Sequence, residues 1–310
     1  MQTSQTAMRV RGYYHRASSG ETNFGDDLNA LLLPRIFPGI DVGSSGSACP
    51  DVILGFGTIL NVQTRDALSH HTRKVVFSSG YGYDLGQKGS FRLGDGWEVR
   101  SVRGPLTAAA LGLEAHAAVT DGAMLAARLL PQSAARGAKP AFMPHITTAR
   151  FGRGYWEALC ARLGLTYLDP RDPIDTLLAQ VAEASFLVTE AMHGAILADA
   201  YRTPWVALTI CDVLPFKWRD WCASLGLDYR PIALPPVWPE QTTGLVGRAK
   251  LFYKTRTIER QLARILRDQP VTLSTDAVLA DRLDELEARA AAIRADLDMA
   301  VQPIEQPAGI

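Results

Sequence analysis

Short apolar runs ending in glycine, serine or threonine recur along the chain as far as Leu227, and most lead into stretches with helical spacing of apolar positions. Met8–Tyr14 is the first such run, after a tail, Met1–Ala7, expected to be disordered. Leu28–Phe37 then suits a helix that Pro38-Gly39 ends. Asp51–Thr58, Lys74–Tyr83 and Trp97–Arg103 repeat the strand pattern. Gly104-Pro105 opens a helix over Leu106–Leu113, with proline at its first position. Ala118–Asp121 and Gly122–Leu130 complete this half, and Pro131–Pro140 (PQSAARGAKP) reads as a linker. The pattern restarts with strand Ala141–Pro144, helix Tyr155–Leu163, strand Tyr167-Leu168 and helix Pro173–Ala184. Phe186–Trp205 supplies another strand, turn and helix, before strand Trp205–Ile210 and helix Phe216–Leu225.

This alternation predicts an α/β fold of two doubly wound, Rossmann-like halves facing each other across a cleft, followed by C-terminal helices. The expected divisions are 1–135 and 136–240 for the α/β domains, and 241–310 for a helical extension. In that extension, Leu245–Leu266 predicts a long helix carrying Arg248, Lys250, Lys254, Arg256, Arg260 and Arg264 against Glu259. Such a helix docks on anionic lipid or on a pyrophosphate-linked substrate, or is an ordinary solvated face. Asp276–Ala300 predicts a second helix. Its Leu279, Leu283, Leu286, Ala290, Ile293 and Leu297 form a seam for packing within the chain or in a homodimer.

Composition narrows the class. The 310 residues balance 32 basic against 32 acidic side chains, so no global charge points to nucleic acid. Four scattered cysteines, without metal-ligand spacing, suit free thiols in a reducing cytoplasm. No apolar run approaches the roughly 20 residues that span a bilayer, and the first residues lack a signal-peptide core. The expected location is cytoplasmic, peripheral on the inner membrane face if the basic helix docks there.

The chemistry gathers where strands end, the position at which parallel α/β folds bind ligands. The loop after the first run holds Ser18, Ser19, Gly20, Asn23, Gly25 and Asp26, a candidate anion cradle without nucleotide-binding glycine spacing. Arg103 ends the third long run, and His145, Thr147, Thr148 and Arg150 follow Ala141–Pro144. Thr189, Glu190, His193 and Gly194 lie between strand and helix, with Lys217 and Arg219 further on. Several cations and imidazoles against one or two acids suit a small, highly charged anion. No nucleophile elbow and no metal-spaced cluster is present, so neither a hydrolase nor a metal enzyme is expected. His193 is either a cap in its turn or the chemical centre. Arg103 is either an anion ligand or half of an ion pair joining the two halves. Trp218 and Trp221, at helical spacing, are expected in the core.

Four blocks resemble the bacterial polysaccharide pyruvyl transferases. They are Asn23-Phe24-Gly25-Asp26, Gly55-Phe56-Gly57-Thr58, Val102–Thr107 (VRGPLT) and Thr189–Gly194 (TEAMHG). The family's usual last block reads Ser-Glu-Arg-Leu-His-Gly, so Ala191 stands where an arginine is expected. The likeness spans roughly Met8–Leu227, and Phe216-Lys217-Trp218 resembles the branch acting on succinoglycan and xanthan. It implies a GT-B-like fold, phosphoenolpyruvate as donor with no other cofactor, and transfer of pyruvate to a hexose as a cyclic ketal with release of phosphate. The acceptor would be an oligosaccharide, expected to be lipid-linked. On this reading His193, Glu190 and Asp26 are catalytic, and Arg103, His145, Lys217, Gly194 and Asn23 bind the donor. Two other readings remain open: a GT-B glycosyltransferase using a nucleotide-sugar, with Glu190 near the ribose, and a non-catalytic scaffold for polysaccharide machinery.

Overall fold

A strand covered on both faces must be apolar throughout, and the continuous runs in this chain form two all-parallel sheets. The computed structural model describes residues 10–16, 22–42, 49–87, 89–132, 137–211, 214–238 and 242–299. The expected tail, Ser18, Ser19 and Gly20 of the anticipated cradle, and the middle of the linker lie outside these residues. The first sheet contains β1 (Val10–Tyr13), β2 (Asp41–Val42), β3 (Asp51–Leu54), β4 (Gly57–Leu60), β5 (Arg73–Tyr81) and β6 (Trp97–Val102). Its order is β2-β1-β3-β5-β4, with β6 also paired to β5. The second contains β7 (Ala141–Met143), β8 (Thr166–Tyr167), β9 (Leu187–Thr189), β10 (Trp205–Thr209) and the unanticipated β11 (Ile232–Ala233), in the order β11-β10-β9-β7-β8.

The helices are α1 (Phe24–Ile36), α2 (Val62–Ala67), α3 (Pro105–Ala110), α4 (Ala126–Leu129), α5 (Ile146–Leu163), α6 (Ile174–Glu183), α7 (Met192–Ala200), α8 (Pro215–Ser224), α9 (Gly244–Asp268) and α10 (Asp276–Asp296). Three boundaries differ from expectation for physical reasons. The run Asp51–Thr58 is broken between β3 and β4, where the Asn29 amide clamps Phe56. Nδ2 donates to the Phe56 carbonyl at 3.1 Å, and Oδ1 accepts from the Phe56 amide at 3.0 Å. Helix α1 begins earlier than Leu28, with Asn23 at its N-cap and Asp26 and Asp27 in the first turn. There the carboxylates meet the positive end of the helix dipole. Helix α5 begins well before Tyr155, at Ile146, capped by His145, whose Nδ1 accepts from the Thr147 amide at 3.3 Å. Gly152 and Gly154 mask its periodicity in the sequence.

The two sheets share one apolar core. It runs from Leu28 and Leu32 of α1, through Met124 and Ala126, to Ala195, Ile196 and Leu197 of α7. The same cluster takes in Leu279, Leu283, Leu286, Ala290 and Ile293, so the α10 seam is buried within this chain. Arg128 fixes the flank of α10 by bonds of 2.6 Å to both Asp284 and Glu287, and Arg73 and Arg100 hold Asp296 at its end.

Helix α8 follows β10 in sequence but packs on α3 of the first half. Its Asp220 accepts from the Thr107 amide (2.9 Å), the Thr107 hydroxyl (2.6 Å) and Arg103 Nε (3.0 Å). A side chain on Gly104 would begin 2.1 Å from the Asp220 carbonyl oxygen, so glycine is what permits this approach. Trp205, Trp218 and Trp221 pack together in the core in tilted and edge-to-face contacts. Helix α9 instead covers the second half, burying Ile258, Leu262 and Ile265 with Trp156 and Leu159. Among the described residues, no helix is long and apolar enough to cross a membrane.

Candidate active site

The segments that follow β1, β3, β5, β7, β9 and β10 converge on a cleft of about 280 Å³, supplying His15, Thr58, Tyr83, His145, Ala191 and Lys217 in turn. Asn23, Gly25 and Asp26 from the start of α1, and His193 from the first turn of α7, complete its polar wall. The N-terminal ends of α1, α5, α7 and α8 therefore all reach one cavity. Helix N-termini expose unpaired backbone N–H groups and a positive dipole end, and so favour bound anions.

His193 occupies the centre of this arrangement. Its Nε2 faces Asp121 Oδ2 at 3.9 Å, and both atoms are buried without a hydrogen bond. Its Nδ1 edge lies against α1, where a Cβ on Gly25 would sit 2.2 Å from Nδ1. Glycine at this point lets the helix start reach the imidazole. The ring of Phe56 packs edge-on at 6.3 Å.

Burial governs the charges. It lowers His193 to about 3, helped by the nearby Lys217 and Arg103. It lowers His145 to about 4, with Lys217 and Arg150 adding to the effect. Lys217 falls to about 8, chiefly by desolvation and then by Arg103, against the opposing pull of Asp26 and Glu190. Desolvation raises Asp26 to about 6, although His15 and the 2.7 Å bond from Asn23 Nδ2 pull it down. Asp121, fully enclosed, rises to about 6 for the same reason. At neutral pH His145 and His193 are thus neutral and Lys217 is charged, while Asp26 in the cleft wall and Asp121 behind His193 titrate unusually close to neutrality.

Of the residues singled out from sequence, Asn23, Asp26, His145, His193 and Lys217 come together in the cleft. Of those expected to act on the substrates, Arg103, Glu190 and Gly194 do not line it, and neither do Thr147, Thr148, Arg150, Thr189 and Arg219. Arg103 is 0% exposed, paired to Asp220, with Nη1 donating to Thr58 Oγ1 (2.7 Å) and Nη2 to the Tyr81 carbonyl (3.2 Å). It supports the wall residue Thr58 from behind and also makes the anticipated link between the halves. Glu190 is 1% exposed, and its two oxygens take four hydrogen bonds, from the His145 and Cys211 amides, Thr148 Oγ1 and the Ile210 amide. That carboxylate ties the exits of β7, β9 and β10 together and has no acceptor position to spare, which also removes the acid that a ribose would need. Gly194 faces the sheet, where a Cβ would lie 2.8 Å from Met143 Sδ and 2.9 Å from Thr189 Oγ1; it sets how closely α7 seats on β9.

Sequence reasoning passed over Asp121, His15 and Tyr83. The available signal for Asp121 was a lone acid, followed by glycine, at the polar end of the run Ala118–Thr120. Ala191 does line the cleft, so the position of the missing arginine is a wall position, and Lys217 shares that wall. Among the described residues, no three His, Cys, Asp or Glu side chains gather to hold a metal ion.

Comparison with known proteins adds to this geometry. The profile of the family described as "Polysaccharide pyruvyl transferase" matches residues 126–212, which include β7, β9, α7 and His193. The chain is also 39% identical over 229 residues to the succinoglycan biosynthesis protein ExoV of Rhizobium meliloti (strain 1021), an alignment covering 73% of this chain and 68% of that protein. The chain belongs to the polysaccharide pyruvyl transferase family and is an enzyme of that class.

Proposed function

We propose that the enzyme transfers the pyruvyl carbons of phosphoenolpyruvate onto two hydroxyls of one hexose in an exopolysaccharide repeat unit, forming a cyclic ketal and releasing phosphate. The observation that carries this reading is the convergence of four helix N-termini, Lys217 and three imidazoles on one cleft. Phosphoenolpyruvate bears about three negative charges near neutral pH, and donors of this kind stabilise such an anion best where water is excluded. The helix ends supply positive potential that Ala191, lacking a charge, does not.

In this mechanism Lys217, His145 and Asn23 hold the phosphate and carboxylate. The bound anion raises the proton affinity of His193, reversing the effect of burial. His193 then gives a proton to carbon 3, leaving a cationic centre at carbon 2, while Asp121 stabilises the imidazolium from behind. A sugar hydroxyl adds to carbon 2 and loses its proton to Asp26, whose affinity near 6 suits a base at neutral pH. The bond from carbon 2 to the phosphate oxygen breaks with its electron pair on oxygen, and the helix N-termini stabilise the departing charge. The second hydroxyl adds at carbon 2, and its proton leaves to the same base or to phosphate.

Incubation with phosphoenolpyruvate and an oligosaccharide acceptor, free or lipid-linked, tests this directly. The expected product gains, on one hexose, the mass of a pyruvic acid less one water, with equimolar release of inorganic phosphate. Turnover with nucleotide-sugars and none with phosphoenolpyruvate would overturn the reading.

A further inference from the structure

A surface helix ordinarily turns its polar side to water, and the first half of α9 does not. Its inward stripe is Leu251, Ile258, Leu262 and Ile265, which join the second apolar core. At about 100° per residue, the opposite side carries Leu245, Val246, Ala249, Phe252 and Tyr253 over the first turns. Leu245 is 85% exposed, Val246 70%, Phe252 63% and Tyr253 73%. The same outward side continues as Arg256, Arg260, Arg264 and Arg267, with Arg248 and Lys250 flanking the apolar patch. Altogether α9 carries seven cations against two acids in a chain whose total charge is balanced. Arg248, Lys250 and Arg260 make no ion pair among the described residues, while Arg256 lies over the Phe252 ring at 5.4 Å.

We infer that the first turns of α9 insert into the interface of an anionic bilayer. The aliphatic and aromatic side chains enter the boundary between headgroups and acyl chains, and the flanking cations pair with lipid phosphates. Charge selects this occupant over a second copy of the chain. A symmetric dimer through α9 would bring two strongly basic helices face to face, whereas an anionic membrane presents the complementary charge. The apolar patch selects it over a soluble polyanion, which would leave Leu245, Val246, Phe252 and Tyr253 in water. The helix is held to the body by its C-terminal half, so the protruding turns meet the surface without disturbing the cleft.

The test uses the full chain and vesicles of phosphatidylcholine alone or mixed with phosphatidylglycerol, read by co-sedimentation. The expected result is binding to the anionic vesicles at least about tenfold stronger than to the neutral ones, and weakened by salt. The triple variant Leu245→Ser, Phe252→Ser, Tyr253→Ser should lose that binding with an unchanged melting temperature, because all three side chains are exposed. Arg248→Ala with Lys250→Ala should lower it severalfold. Undiminished binding by the triple variant, or no binding of the wild type to anionic vesicles, would overturn the inference. So would a dimer of the wild type that the triple variant dissolves. No substrate enters this assay, so its outcome is independent of the donor and acceptor proposed above.

Discussion

Two polar clusters lie at the strand ends of this enzyme, and they differ in how completely their atoms are satisfied. Around Arg103, the Asp220 carboxylate, Thr107, Thr58 and the Tyr81 carbonyl meet in hydrogen bonds that leave the guanidinium fully buried and paired. Around His193, Nε2 and Asp121 Oδ2 face each other at 3.9 Å unbonded, and Asp26, Lys217, His145 and His193 are pushed away from their ordinary proton affinities. A satisfied buried network holds a structure together, whereas groups left unpaired and perturbed in a cleft are poised for a ligand. The two clusters thus differ in how much hydrogen-bonding capacity each leaves for a ligand.

Substitutions should separate the clusters. His193→Ala should lower transfer by about 10²- to 10⁴-fold with an unchanged melting temperature; near-normal turnover would move the chemistry elsewhere. Asp220→Ala should do the reverse, destabilising the fold by about 3–5 kcal/mol because it strands the buried Arg103 charge. Denaturant unfolding measures this, and Arg103→Met in the same background should recover part of the loss. Asp121→Asn touches both properties. Its carboxyl titrates near 6 in the folded enzyme against an ordinary 3.8, so the folded state loses stability as pH rises from about 4 to 6 and the full penalty persists above. The asparagine removes that penalty, raising the melting temperature at pH 8 but not at pH 4, while turnover falls about tenfold. A variant less stable at both pH values would contradict this sign.

Lys217 gives a smaller and graded effect. Because burial holds it near 8, its charge is complete below that pH and lost above it. The Michaelis constant for phosphoenolpyruvate should rise as pH climbs through about 8, Lys217→Arg should extend the plateau upward, and Lys217→Met should raise the constant about tenfold below pH 8, the gap to the wild type closing above it. An unchanged constant in Lys217→Met would remove this residue from the donor site.

The strand–helix rhythm was legible because parallel strands demand unbroken apolar runs, and because Pro105, Gly39 and the strand-end glycines punctuate them. Legible too was the ring of strand ends that supplies Asn23, Asp26, His145, His193 and Lys217. Side-chain direction was not. The pattern places Glu190 at a strand end but does not say that four donors from neighbouring strands turn its carboxylate inward. Asp121 gains its meaning only from His193, 72 residues later in the sequence, through a contact that no local spacing encodes. The crossing of α8 to the first half was hidden for the same reason, since Asp220 reads locally as one acid on an amphipathic helix.

That crossing bears on how the enzyme is made. Arg103 waits for a carboxylate 117 residues downstream, and the Arg73–Glu98 pair for its second acid, Asp296, 223 residues after Arg73. As synthesis proceeds from the amino terminus, the first sheet emerges with an unpaired guanidinium and with the bare apolar surface that α10 will cover. Its completion depends on contacts of very high sequence separation, the slowest to form and the most exposed to aggregation while they are awaited. Truncation before Asp276 should therefore leave that apolar surface bare and give an insoluble product, read as the soluble fraction on expression.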